Sequence, residues 1–120
     1  MSGDGTRGPA VGPLTDAALH ILIALGDGER HGYAIMHEIE TRTQGEVVLD
    51  PGTLYRAIKR LLAASLIGEA AERPDPDLDD QRRRYYRLTA LGQSVAVAEL
   101  ERRERTARAA RMKPLFGGVS

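Results

Sequence analysis

A chain of 120 residues can form one domain with a modest core and is too short for two. Its 17 basic and 17 acidic residues cancel, so overall charge names no nucleic-acid partner, and any such reading must rest on where the charges lie. There is no cysteine, which excludes disulfides, a thiol nucleophile and a zinc finger and fits a reducing cytoplasm.

Residues 1–13 are rich in glycine and proline and hold too little apolar surface to offset the entropy of ordering them, so they read as a flexible tail. They contain no apolar stretch of the kind a signal peptide needs. Thr15 or Asp16 can cap a first helix, in which residues 17–25 are apolar except for His20. That run is far too short to span a bilayer. Because it is apolar nearly all round, it needs cover on more than one side, and part of it is expected to face a second subunit. Gly26 and Gly28 stop it. A second helical pattern covers residues 30–44, with Ile35, Met36 and Ile39 inward and Glu38, Glu40 and Arg42 outward, and Gly45 ends it. Residues 46–49 are β-branched enough to form a short extended pairing segment.

Asp50 and Pro51 then open a third helix. Leu54, Ile58, Leu61 and Leu62 recur on one of its faces, and Thr53, Arg56, Lys59, Arg60 and Ala63 on the other. Residues 66–73 and 82–88 read as two strands joined by a polar loop, with Tyr85 and Tyr86 on opposite faces. Thr89 can cap a last helix running to about Met112, with Leu91, Val95 and Ala98 in one stripe and Val97 and Leu100 in a second. Glu99 with Arg103, Glu101 with Arg105 and Glu104 with Arg108 are spaced as i,i+4 pairs. Pro114 ends that helix, and residues 116–120 are expected to fray.

Two closely spaced helices, the second opening on Pro-Gly-Thr, followed by a hairpin, are the layout of a winged helix-turn-helix. The expected fold is mainly α with a small β part: a tail at 1–13, a winged domain at 14–89 with a two-stranded wing, a projecting C-terminal dimerisation helix at 90–113, and a tail at 114–120.

Thr53, Tyr55, Arg56 and Lys59 lie near the end of the third helix that enters a major groove in this architecture. Arg56 can address guanine O6 and N7, Lys59 a phosphate or guanine, Thr53 a phosphate or a thymine methyl, and Tyr55 a phosphate, unless its ring packs on the preceding helix. Tyr33 could donate to a phosphate or close the core. Arg82, Arg83, Arg84 and Arg87 concentrate four cations on one strand that can follow phosphates, or can pair with Asp75, Asp77, Asp79 and Asp80 of the adjoining loop. That loop imitates the start of a calcium loop but has Asp80 where glycine is needed and Tyr86 where a bidentate glutamate should stand. His20, His31 and His37 have no i,i+4 spacing, so no metal site is expected within the chain. No catalytic motif or acid pair near a histidine is present, so neither catalysis nor a cofactor is expected.

Residues 14–25, His31-Gly32-Tyr33-Ala34-Ile35, residues 51–58 (Pro-Gly-Thr-Leu-Tyr-Arg-Ala-Ile) and Arg84-Tyr85-Tyr86-Arg87-Leu88-Thr89 with Gly92 together resemble the PadR family of bacterial transcriptional regulators. These are winged-helix proteins named for a repressor that answers to phenolic acids. The length resembles the short subfamily with a single C-terminal helix. The resemblance implies a cytoplasmic homodimer whose C-terminal helices pack on the first and last helices of the partner, drawing on Leu19, Ile23, Leu91, Val95, Ala98 and Leu100. It also implies repression from a palindromic promoter operator of double-stranded DNA and a small-molecule effector at the dimer interface that weakens DNA binding. By position, the DNA contacts implied are Tyr33, Thr53, Tyr55, Lys59 and the wing arginines Arg82, Arg83 and Arg84. Two departures stand out: the acidic wing loop would be repelled by phosphates, and there is no tryptophan of the kind on which drug-sensing relatives stack flat ligands. The alternative reading is a winged-helix protein-interaction module whose acidic loop docks a basic partner without binding DNA. A third is a sensor holding a metal through His20 or His31 at a subunit boundary.

Overall fold

Three of the helices begin where a short polar side chain can accept a hydrogen bond from the first turn. Thr15 Oγ1 accepts from the Ala18 N–H at 3.1 Å, Asp50 Oδ1 from Thr53 at 2.8 Å and Thr89 Oγ1 from Gly92 at 2.9 Å. These caps open α1 (Asp16–Ala24), α3 (Pro51–Ala63) and α4 (Ala90–Arg111) in a computed structural model that describes residues 14–70 and 84–117. The remaining α-helix among the described residues, α2 (Gly32–Arg42), is capped by a histidine: His31 Nδ1 accepts from the Ala34 N–H at 3.2 Å.

Helix α2 is shorter than the sequence pattern predicts. Arg30 and His31 form a two-residue strand, β1 (Arg30–His31), antiparallel to β3 (Tyr85–Leu88), which in turn pairs antiparallel with β2 (Ile67–Ala70). Strands β2 and β3 form the expected two-stranded wing, and β1 extends it to a three-stranded sheet of order β1-β3-β2. Residues 46–49 take no strand role; the Val47 N–H donates to Thr43 Oγ1 at 3.0 Å, turning the chain towards α3. The C-terminus of α2 is closed by Gln44 as well as Gly45, both at positive φ (55° and 83°), with the Gly45 N–H donating to the Glu40 carbonyl at 2.9 Å. Helix α3 ends the same way, with Ser65 at φ 63° and the Leu66 N–H donating to the Leu61 carbonyl at 3.0 Å. Pro114 ends α4 as expected, but Pro114–Phe116 continues as a single 3-10 turn.

The apolar run of α1 is covered largely by its own chain. Ala18, Leu19, Ile21, Leu22 and Ala24 are buried, and α1 packs on α2, α3 and α4. Ile35 and Ile39 from α2, Leu54, Ile58 and Leu61 from α3, and Leu66, Ile67 and Tyr86 around the sheet complete the core. Burial raises the Tyr86 hydroxyl above its ordinary pKa. Outside this core, polar clasps fix the helices. Arg30 Nε donates to the Ala24 carbonyl at 2.8 Å, closing the end of α1, and its guanidinium pairs with Asp27. Arg42 pairs with Glu38 and donates to His20 Nδ1 at 3.2 Å, joining α2 to α1. Partial burial first, and the Arg42 charge second, hold the His20 imidazole below its ordinary pKa.

Helix α4 is seated at two levels. At its start, Thr89 Oγ1 lies 2.7 Å from the Ser65 carbonyl and 3.0 Å from that of Leu66, and Gly92 packs so tightly on the Leu66 backbone that a Cβ there would collide with the carbonyl oxygen. Two turns on, Glu99, 7% exposed, accepts from Arg102 and Arg103. Arg103 also donates to Asp16 at 2.8 Å and to the Leu14 carbonyl at 3.2 Å. Hydrogen bonds from Arg102 and Arg103 hold the Glu99 carboxyl below its ordinary pKa, and those acceptors hold Arg103 above its own. Beyond Arg103 the helix is exposed apart from partial cover at Ala110.

Candidate nucleic-acid interface

The residues that could meet a ligand converge on α3, and the core decides which of its faces is available. Leu54, Ile58 and Leu61 are buried, which turns Arg56, Lys59 and Arg60 to solvent. Among the described residues no carboxylate forms an ion pair with any of the three. Three cations thus line one side of a helix whose other side is anchored.

The N-terminal turn of α3 is internally bonded. Thr53 donates its backbone N–H to Asp50 Oδ1 and its hydroxyl to Asp50 Oδ2 at 3.1 Å, and Thr53 Oγ1 accepts from Arg56 Nη2 at 3.4 Å. The two bonds from Thr53 lower the Asp50 pKa first, and Arg56 adds to the effect. The hydroxyl of Thr53 is thereby directed at its own helix cap. Tyr55 has a packing role: its hydroxyl is shielded from solvent and lies against Gly32, where a Cβ would collide with the phenol. A tyrosine on α3 filling the place of a missing side chain on α2 sets how closely the two helices approach. The sequence signal for that contact was Gly32 inside His-Gly-Tyr-Ala-Ile. Tyr33, the second residue of α2, is 38% exposed.

In the sheet, β2 and β3 pair Ile67 with Leu88 through to Ala70 with Tyr85. His31 meets the edge of the Tyr85 ring at 5.4 Å, bracing β3 against the start of α2. Arg84 and Arg87 are exposed. Arg84 lies 3.8 Å from Glu69, both side chains about half exposed, a pairing that neutralises little in water. The guanidinium of Arg87 lies over Gly68. Arg82, Arg83 and the acidic positions Asp75, Asp77, Asp79 and Asp80 fall outside the described residues.

A groove of about 530 Å³ runs between the end of α1, β3 and α4, lined by Ile23, Arg87, Leu88, Gln93, Val97 and Leu100 among others. Of the residues expected at a dimer interface, Leu19 is 5% exposed and belongs to the chain's own core, and Leu91 and Val95 are partly covered. Ala98 and Leu100 are exposed, Ile23 lines the groove, and the exposed apolar surface beside them includes Val97. Among the described residues no group of three or more histidine and acidic side chains could hold a metal ion, and no helix is long and apolar enough to cross a membrane.

The fold is shared with known proteins. Residues 21–98 match the profile of the transcriptional regulator PadR-like family. The chain belongs to that family. The match covers α1 from Ile21 through α3 and the sheet to the first turns of α4, so the PadR-like segment contains the basic face of α3 and most of the groove lining. The fold resembles that of a transcriptional regulator from Clostridium thermocellum, at 28% identity and a TM-score of 0.68, covering 81% of this chain and 91% of that one. It also resembles a PadR family transcription regulator from Clostridium difficile, at 26% identity and a TM-score of 0.59, covering 82% and 95%. Over 84 residues the chain is 38% identical to an uncharacterised 37.1 kDa protein of transposon TN4556 from Streptomyces fradiae; this covers 70% of the present chain but only 22% of that longer protein. The winged helix-turn-helix expected from the sequence is thus the fold, and it is a DNA-binding fold of transcriptional regulators, not of enzymes.

Proposed function

We propose that this protein is a cytoplasmic homodimeric repressor that binds a palindromic promoter operator and is released from it by a small-molecule effector. The observation that supports DNA binding most is the row Arg56, Lys59 and Arg60, exposed on α3 while Leu54, Ile58 and Leu61 anchor the opposite face. In this reading the N-terminal half of α3 enters the major groove. Arg56 addresses guanine O6 and N7, Lys59 and Arg60 take phosphates, Tyr33 approaches the backbone from α2, and Arg82, Arg83 and Arg84 follow phosphates from the wing. Thr53 and Tyr55 contribute by shaping the surface more than by touching DNA, because the Thr53 hydroxyl is engaged by the Asp50 cap and the Tyr55 hydroxyl is buried. The acid-rich wing loop shifts the work of specificity towards α3.

Dimerisation is supported by the apolar surface on α4, where Val97 is 47% and Leu100 37% exposed beside Ile23, in a helix that extends beyond its own body. A second copy covering that surface would close the groove, and a small apolar effector lodged there could bond to Arg87 or Gln93. No catalytic step is assigned.

The test is a gel shift on the promoter upstream of the protein's own gene. Sequence-selective binding is expected, with the logarithm of affinity falling linearly with the logarithm of salt concentration; no selective binding at low salt refutes the reading. For the dimer, sedimentation of the full chain is expected to show two copies and that of the double variant Val97→Glu, Leu100→Glu one. A double variant that still sediments as a dimer places the interface elsewhere.

A further inference from the structure

The N-terminal turn of α3 holds an arrangement that a plain helix cap does not need. Asp50 Oδ2 accepts the Thr53 hydroxyl proton at 3.1 Å. A threonine hydroxyl has a single proton, so once Asp50 takes it the oxygen lone pairs are left for a donor, and the donor present is Arg56 Nη2 at 3.4 Å. The Arg56 guanidinium thereby lies back along the helix to its first turn, and Gly52 makes room for it. A Cβ on Gly52 would stand 3.3 Å from Arg56 Nη1, 3.3 Å from Asp50 Oδ1 and 4.0 Å from Arg56 Cζ, closer to the two polar atoms than side-chain carbons normally pack.

We propose that Asp50, Gly52 and Thr53 are positioning residues that hold the Arg56 guanidinium at the tip of α3 in one orientation for reading a guanine. This deepens the DNA-binding reading above and rests on it. An arginine free to rotate must be ordered when it meets a base, and that ordering opposes binding. A guanidinium already docked, with its fork direction set, is pre-organised for the bidentate contact on guanine O6 and N7. The Asp50 carboxylate has a second effect: it repels a phosphate from the same spot, which favours base edges over backbone at the helix tip. Sequence preference at one base pair therefore depends on residues that need not touch that base.

The test is selection from a pool of random duplexes by the full-length protein and by Arg56→Ala, Gly52→Ala, Thr53→Val and Thr53→Ser, with a thermal melt of each. Arg56→Ala is expected to lower discrimination for guanine at a single position by about tenfold. Gly52→Ala and Thr53→Val are expected to weaken preference several-fold at that same position alone, and Thr53→Ser to retain it. Alanine is the better residue in a helical turn but its Cβ crowds the Asp50 cap, so the melt establishes that Gly52→Ala still folds, and a preference lost at that one position by a cooperatively melting variant is not a loss of fold. The proposal is overturned if Gly52→Ala and Thr53→Val leave that preference intact or weaken all sequences evenly, and equally if Arg56→Ala alters no position. A wild-type protein that enriches no sequence refutes the DNA-binding reading itself, and with it this one.

Discussion

Helices α3 and α4 both carry cations at their surface, and Arg102 and Arg103 of α4 differ from Arg56, Lys59 and Arg60 of α3 in being paired. On α4, Arg102 and Arg103 enclose Glu99, and Arg103 goes on to Asp16 and the Leu14 carbonyl. These cations are consumed in seating α4 on α1. On α3, Arg56, Lys59 and Arg60 have no ion pair among the described residues, and Arg56 bonds only to a neutral hydroxyl. A charge neutralised inside the chain holds structure; a charge left without a counter-ion is available to a partner. With equal numbers of acids and bases over the whole chain, it is this lack of pairing that makes the outer side of α3 a locally basic surface.

The comparison can be broken most severely from the buried side of α3. Leu54 has no exposed surface, so Leu54→Ala should cost about 2–5 kcal/mol of stability in a urea titration, with DNA binding lost only as the fold is lost. If the chain stays fully stable, α3 is not anchored as described. The exposed side should respond in the opposite sense. Lys59→Ala should leave stability within about 0.5 kcal/mol, weaken binding to every duplex alike, and reduce the slope of log affinity against log salt by about 0.9. A sequence-dependent loss would instead make Lys59 a reader of bases.

A smaller effect should appear on the α4 side as pH falls. The folded state holds both His20 and Glu99 below their ordinary pKa values, so in each case the unfolded chain binds protons first and acidification destabilises the fold. The His20 contribution is present above about pH 6.5 and the Glu99 contribution above about pH 4.3, and each is lost as the pH drops through the lowered folded value. Melting midpoints should therefore decline in two stages. His20→Gln should remove the first and Glu99→Gln the second; a variant curve parallel to wild type throughout would show that the clasp it targets contributes nothing. The smallest change concerns the end of α3, where Ser65 has a left-handed backbone. Ser65→Gly should raise stability by about 0.5–1 kcal/mol without altering DNA affinity, because glycine relieves the strain there. A loss of stability would mean that the Ser65 side chain makes a contact worth more than the strain.

What the sequence determined by itself is whatever rests on neighbours a few residues away. The caps at Thr15, Asp50 and Thr89, the anchored face of Leu54, Ile58 and Leu61, the stop at Pro114 and the Glu99–Arg103 pair are all local, and each is legible because its spacing and chemistry coincide in one short stretch. From these the winged helix and the exposed basic face of α3 followed. Tertiary structure decided what depends on residues distant along the chain. Strand β1 is two residues long and exists only because Tyr85 and Tyr86 come to lie beside it, so no local pattern marks it, whereas residues 46–49 had the right composition and met no partner. An all-apolar α1 could not say which of its residues its own core would take; packing assigned Leu19 to the core and left Ile23 at the groove. At the site, Arg56 and Lys59 were legible as cations opposite an apolar stripe. The direction of the Thr53 hydroxyl, the burial of the Tyr55 hydroxyl against Gly32 and the space that Gly52 leaves for Arg56 needed three dimensions, because hydrogen-bond direction and the volume beside a glycine are set by the surroundings of a residue and not by its identity.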